Sequence, residues 1–210
     1  MQIETLVLGP VSANCYIVTD EKTNEAAVID CGEYTGELEQ KLIGKKLKYI
    51  MLTHGHYDHI LGVYDLKQAH PEAEIVIHKD EAYKLTDELP SFAHEMMPGV
   101  QKYVDADITI GEGDRLCVGE ITFEVMHTPG HSKGGVCYLV EDEKTIFTGD
   151  TLFCLTVGRT DFFDSDEDEM LDSITRLYNM QGDYDIYPGH NRATTMEYEK
   201  RRNRYMRRFR

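Results

Sequence analysis

The chain has 210 residues, 41% of them hydrophobic and 29% charged, which suits a globular protein with a sizeable core and excludes a disordered one. Its formal charge of −16, from 22 basic against 38 acidic residues, argues against nucleic acid as a partner, because affinity for a phosphate polymer rests on basic groups. No apolar run approaches the length of a membrane span, and the opening Met1-Gln2-Ile3-Glu4-Thr5 has no basic signal-peptide start, so no membrane partner is expected.

Residues 2–8, 14–19 and 25–30 are short apolar or alternating runs separated by Gly9-Pro10, Asn14 and Thr23-Asn24, and they predict an antiparallel meander. Residues 35–43 place Leu38, Leu42 and Ile43 at helical spacing, with Gly44 as the C-cap. Residues 48–53 read as a buried strand that runs into Thr53-His54-Gly55-His56-Tyr57-Asp58-His59. Imidazole and carboxylate are ordinary ligands for zinc and its divalent neighbours. A core would not gather four titratable groups here, since each would need a buried partner. His54 and His56 share a direction in an extended turn. Asp58 and His59 come where a helix begins, with Ile60, Val63 and Leu66 as its apolar face. The cluster therefore sits at the carboxyl end of a strand, where α/β sheets place their sites.

Residues 75–78 form another short strand, followed by a helical stretch from about Asp80 to Glu88. Residues 90–103, broken by Pro90, Pro98 and Gly99, read as a lid or binding loop. His94 within it is taken as solvated. Ile121, Phe123 and Val125 alternate with polar residues as a half-buried strand, and 136–140 is a fully apolar one. Residues 141–144 turn the chain into the next strand, 145–148. Ser165 is expected to cap a helix with an acidic first turn that carries Leu171, Ile174, Leu177 and Tyr178. Residues 184–187 are a last strand and 192–208 a terminal helix. Strands followed by helix thus occur twice. That pattern predicts an α/β fold of αββα type, two mixed sheets face to face with helices outside, as a single domain over 1–210.

The five cysteines, at 15, 31, 117, 137 and 154, form no Cys-x-x-Cys pair and read as small buried residues in a reducing compartment, the cytoplasm. Residues 200–210 hold seven basic groups, read as a helix end and tail. A contact with the chain's own acidic surface, or with a second copy in a homo-oligomer, is the other reading of that tail.

Three further motifs stand at strand ends: His127-Thr-Pro-Gly-His131-Ser, Phe147-Thr-Gly-Asp150-Thr and Pro188-Gly-His190. Each alone is ordinary turn chemistry. Together with the cluster they complete a dinuclear set of about three ligands per ion with open positions for water or substrate. His54, His56 and His131 would hold one ion, Asp58, His59 and His190 the other, and Asp150 would bridge them. His127 is left as a structural residue.

These motifs, with Asn14-Cys-Tyr-Ile and Val28-Ile-Asp-Cys-Gly32, resemble the metallo-β-lactamase superfamily over nearly the whole chain, most closely its glyoxalase II (hydroxyacylglutathione hydrolase) group. The resemblance implies two metals at the matching positions, usually zinc and sometimes iron or manganese. It also implies that true β-lactamases lack the bridging aspartate supplied by Asp150. Glyoxalase II proper continues with a helical domain, whereas only 20 residues follow His190, so the likeness is to a shorter single-domain group. Arg159, in Val157-Gly-Arg159-Thr-Asp161-Phe, falls near a basic glutathione contact of the longer enzymes. It either binds a substrate carboxylate or pairs with Asp161.

The activity so implied is hydrolysis of a small-molecule acyl thioester, S-acylglutathione-like, or a related ester. Two metals make a shared water nucleophilic near neutral pH and polarise the carbonyl, and Asp58 with a metal-bound water supplies any proton the leaving group needs. Three other readings stay open. One is a mononuclear-iron persulfide dioxygenase, for which Gly-Arg-Thr-Asp is similar. Another is a lactonase or other esterase on the same scaffold. The third, a non-enzymatic binding module, is the weakest, because every ligand position is filled.

Overall fold

The computed structural model describes residues 1–209. Two compact units divide the chain, the first made of Met1–Ile110 with Leu116–Thr122, the second of Gly111–Arg115 with the chain from Phe123 onward.

The first unit carries a six-stranded mixed sheet. The predicted meander is β1 (Gln2–Leu8), β2 (Ala13–Thr19) and β3 (Glu25–Ile29), paired antiparallel in sequence order. Then β4 (Lys46–Met51), β5 (Glu74–His78) and β6 (Ile108–Ile110) add in parallel. Helix α1 (Gly36–Leu42) starts at Thr35, whose hydroxyl accepts the Leu38 N–H at 3.2 Å, and it buries Leu38 and Leu42. The helix expected after the histidine cluster is two pieces, α2 (Tyr57–Ile60) and α3 (Val63–Ala69), because the Gly62 N–H is drawn away to the Cys31 carbonyl at 2.9 Å. Ile60, Val63 and Leu66 still share one core with Leu38 and the sheet.

The expected helix over 80–88 is only a 3-10 turn, Ala82–Leu85. Glu81 and Lys84 are both fully buried and paired, and with three residues per turn positions i and i+3 stack on one side. The 90–103 segment holds one short helix, α4 (Ala93–Met96), and is two-sided: Ser91, Ala93 and Gln101 are buried while Met96, Val100 and Tyr103 are exposed.

The second sheet contains β7 (Arg115–Val118), β8 (Ile121–His127), β9 (Val136–Val140) and β10 (Thr145–Gly149). A ribbon of β11 (Leu152–Phe153) and β12 (Thr156–Val157) follows, then β13 (Asp185–Pro188) and β14 (Thr194–Thr195). The strand order is β14-β13-β10-β9-β8-β7, with β10 and β13 parallel across α5 (Glu167–Asn179). Helix α5 is capped by Asp166, not Ser165: the Asp166 carboxylate accepts the Asp168 and Glu169 N–H groups at 2.9 and 3.0 Å. Its buried face is Met170, Ser173, Ile174 and Leu177, while Leu171 and Tyr178 are half-buried.

The terminal helix is shorter than predicted. It is α6 (Met196–Arg202), ended by the fully buried Asn203, whose amide donates to the Thr156 carbonyl and to Glu199 at 3.0 and 2.9 Å. The basic stretch pairs locally: Arg201 with Glu197, Lys200 with the Met180 carbonyl, and the Arg204 and Arg208 guanidinium groups over the Tyr205 and Phe209 rings. Two mixed sheets, each with its own helices, are the α/β class read from the sequence.

Cys15, Cys31 and Cys137 are buried free thiols, and burial pushes the Cys137 thiol up to about 11. Two cysteines depart from the expected burial. Cys117 is exposed, and Cys154 is partly exposed with the Arg192 guanidinium at 3.3 Å from its sulfur. No helix among the described residues is long and apolar enough to cross a membrane.

Candidate metal centre

In the first unit, β4 delivers the chain into the 53–59 turn, and α2 begins immediately after its second imidazole, His56. His54, His56, Asp58 and His59 are all buried. The His54 ring lies 4.6 Å from His56, edge to face, and 4.2 Å from His59. His59 Nε2 stands 3.5 Å from Asp58 Oδ2, so all four side chains predicted from the cluster converge.

Behind them lies Asp30, in the left-handed region at φ +56° just past β3. Its Oδ1 accepts the Thr53 N–H at 2.8 Å, and its Oδ2 accepts the Thr53 hydroxyl at 2.8 Å and faces His59 Nδ1 at 2.9 Å. A buried carboxylate can only accept, so His59 carries its proton on Nδ1 and presents Nε2 as the ligand atom. The Thr53 hydroxyl spends its proton on Asp30 and is left to accept from His54 Nδ1 at 3.1 Å, which aims His54 Nε2 the same way. Burial, with a lesser push from the Asp58 carboxylate, raises the Tyr57 phenol above its ordinary value.

In the second unit, Asp150 follows β10 and His190 follows β13, parallel neighbours tied together past their ends by the Gly189 N–H donating to the Gly149 carbonyl at 2.8 Å. Asp150 Oδ2 is 3.5 Å from His131 Nε2 and 3.6 Å from His190 Nε2. Those separations are long for hydrogen bonds but match the spacing of two ligands on one tetrahedral ion, about 3.3 Å for bonds of about 2.05 Å. His131 Nδ1 donates to the Arg159 carbonyl at 2.8 Å, leaving Nε2 for the ion. The His131 carbonyl accepts the Ser165 hydroxyl at 2.6 Å. Gly130 is required before it: at φ +131° a Cβ would fall 2.4 Å from the Met170 nitrogen at the start of α5.

The donor chemistry fits divalent ions, and the chain holds His/Asp groups able to bind them. Sequence reasoning missed Asp30 and Thr53 as residues that aim the ligands, and Ser165 as a tether on the His131 backbone. The signals for Asp30 are its place directly after an apolar strand and its inclusion in the Val28-Ile-Asp-Cys-Gly32 stretch that shares in the family resemblance. His127 is structural, facing the Lys133 carbonyl at 3.0 Å, and His94 is exposed beside Glu88. The Arg159 guanidinium grips Asp161 through two nitrogens, at 2.5 and 2.7 Å, and lies 4.5 Å over the Phe162 ring. That pairing holds the Asp161 carboxyl below its ordinary value.

Residues 8–190 match the model of the metallo-β-lactamase superfamily. A hydroxyacylglutathione hydrolase, GloC of Haemophilus influenzae, is 34% identical over 210 residues that cover 98% of both chains. Among solved structures, BLEG-1, described as a B3 metallo-β-lactamase, is 29% identical with a TM-score of 0.91, over 98% of this chain and 99% of that one. TTHA1623, solved in a di-iron-bound form, is 29% identical with a TM-score of 0.85, over 96% and 99%. ETHE1 from Myxococcus xanthus is 28% identical with a TM-score of 0.77, over 97% and 84%.

Proposed function

Since the chain belongs to the metallo-β-lactamase superfamily, we propose that it is a hydrolase of acyl thioesters of the S-acylglutathione kind, or of related acyl esters, built as one domain and working in the cytoplasm. The observation that carries the reading is Asp150, whose Oδ2 stands at ligand spacing from both His131 and His190. In this reading His54, His56 and His131 would hold one ion, Asp58, His59 and His190 a second, and Asp150 would be shared between the two. Zinc is the first choice of metal, and the di-iron-bound form of TTHA1623 makes iron the second.

Bound divalent ions would supply the charge that makes water nucleophilic near neutral pH and polarises a carbonyl. The chain's own groups do the rest. Asp30 and Thr53 keep the His59 and His54 protons on Nδ1. Asp58, buried at the first turn of α2, would take up the proton released by the attacking water and relay it to the departing thiolate, which at a thiol pKa of about 8.5 needs little help. Arg159 would exchange Asp161 for a substrate carboxylate.

A second reading, β-lactam hydrolysis, has the likeness to BLEG-1 in its favour and the presence of Asp150 against it. Metal analysis with parallel assays separates them. Two equivalents of metal per chain and turnover of S-lactoylglutathione are the expected result. Hydrolysis of a β-lactam without thioester turnover would replace the first reading with the second. One equivalent of iron with oxygen consumption on glutathione persulfide would replace both with a dioxygenase.

A further inference from the structure

The turn between the paired imidazoles is gripped from behind by residues 81–101. The Gly55 N–H donates to Glu81 Oε2 at 2.8 Å, and the Tyr57 N–H donates to the Ser91 carbonyl at 2.9 Å. These two anchors are joined to each other. Lys84 Nζ lies 2.9 Å from that same Glu81 Oε2. The Lys84 carbonyl accepts the Gln101 amide at 2.7 Å, and the Ser91 hydroxyl donates to the Gln101 side-chain oxygen. Glu81, Lys84 and Ser91 are 0% exposed and Gln101 is 8% exposed, so water does not compete for these bonds. There is no slack behind Gly55 either: a Cβ there would stand 2.8 Å from both Cβ and Cδ of Lys84. Phe92, held at φ +66°, sets its ring edge-on to His56 with centroids 5.1 Å apart.

A fully buried ion pair is a poor device for stability, because the cost of desolvating both charges commonly exceeds their attraction, and apolar residues of similar volume often serve as well. Stability therefore does not account for a Glu–Lys pair in this place. What the pair does provide is a carboxylate acceptor, held by the Lys84 Nζ, for the Gly55 N–H between His54 and His56. A neutral acceptor on a mobile side chain would hold that peptide less firmly.

We propose that Glu81 and Lys84 are a positioning pair that fixes the His54–His56 turn in its ligand geometry before an ion arrives, with Gln101 and Ser91 as the brace. The proposal rests on the reading of that turn as metal-binding. It also recasts the 81–101 segment, whose inner side is a clamp on the turn.

Two double variants of the full chain test it, read by chelator competition for zinc and by thermal melting. Glu81→Gln with Lys84→Met keeps an acceptor for Gly55 and removes both charges. Glu81→Leu with Lys84→Met removes the acceptor as well. The first is expected to retain zinc affinity better than the second. The second leaves the Gly55 N–H unpaired, which should lower its melting temperature by several degrees, and is expected to stay folded yet bind zinc roughly 10- to 100-fold more weakly, the range for contacts that orient ligands. Equal zinc affinity in the two variants and the wild type overturns the clamp. Hydrogen exchange at the Gly55 amide gives a measure that needs no variant. After chelation of the wild-type chain this amide is expected to stay strongly protected, and exchange at the rate of an open loop overturns the proposal. A wild type that takes up no metal overturns the metal reading of the turn instead, which keeps the two failures apart.

Discussion

Four ligand candidates of the first unit come from one short turn, 54–59, whereas the three of the second come from three separate strand ends, at His131, Asp150 and His190. The means of holding them differ in the same way. The first set is aimed by side chains: Asp30 and Thr53 on His59 and His54, Glu81 on the Gly55 peptide. The second is aimed mostly through main chain: the Arg159 carbonyl on His131, and the Gly189–Gly149 bond that couples the loops of His190 and Asp150. A set fixed by side chains can be loosened by single substitutions without touching a ligand. A set fixed by backbone yields chiefly when a ligand itself is removed.

The largest effect expected is therefore at Asp150. Asp150→Ala removes the oxygen that stands between His131 and His190. Metal content and activity should fall together, by at least about 100-fold, above the 10- to 100-fold range typical of groups that only orient ligands. Elemental analysis beside the hydrolysis assay checks this, and full activity in the variant would refute the bridge. Next comes Asp30→Asn. The amide can still accept from Thr53, but it no longer forces the His59 proton onto Nδ1. Metal affinity should drop roughly 10- to 100-fold while the ligand count is unchanged. If Asp30→Asn left the affinity intact, the contrast between the two units would lose its clearest support.

Much of this molecule was legible because local pattern and tertiary role coincide. The meander of β1 to β3, the strand β4 and the 53–59 cluster each announce themselves within a few residues. The misreadings share one cause, which is burial set by distant partners. Residues 80–88 carry a helical pattern, but the chain makes only a 3-10 turn there, with Glu81 and Lys84 turned inward and paired. Residues 192–208 promise one helix, but Asn203 is buried and tied to Thr156, which ends it early. Asp30 stands in the Val28-Ile-Asp-Cys-Gly32 stretch, but its role in the site is hidden because its partners, Thr53 and His59, lie far along the chain. Ser165 and Asp166 are adjacent and both are good N-cap types, so propensity alone does not choose between them. The structure gives the cap to Asp166 and frees Ser165 for His131.

That division of labour yields the smallest effect, and the one that tests the contrast most finely. Asp166→Ala removes an N-cap and should cost about 0.5–2 kcal/mol of stability. Ser165→Ala removes one hydroxyl-to-carbonyl bond and should cost about 1 kcal/mol. Neither substitution breaks the bond from the Asp166 N–H to the Gly130 carbonyl, 2.9 Å long, nor that from His131 Nδ1 to the Arg159 carbonyl. The backbone around His131 thus keeps two of its tethers in both variants. Zinc affinity should then change by less than about threefold, since the ring itself is still oriented by its Nδ1 bond. Melting and chelator competition on the two variants side by side read both quantities. If Ser165→Ala weakened zinc binding as much as Asp30→Asn, the His131 half of the site would also depend on a single side chain, and the difference drawn between the two units would collapse.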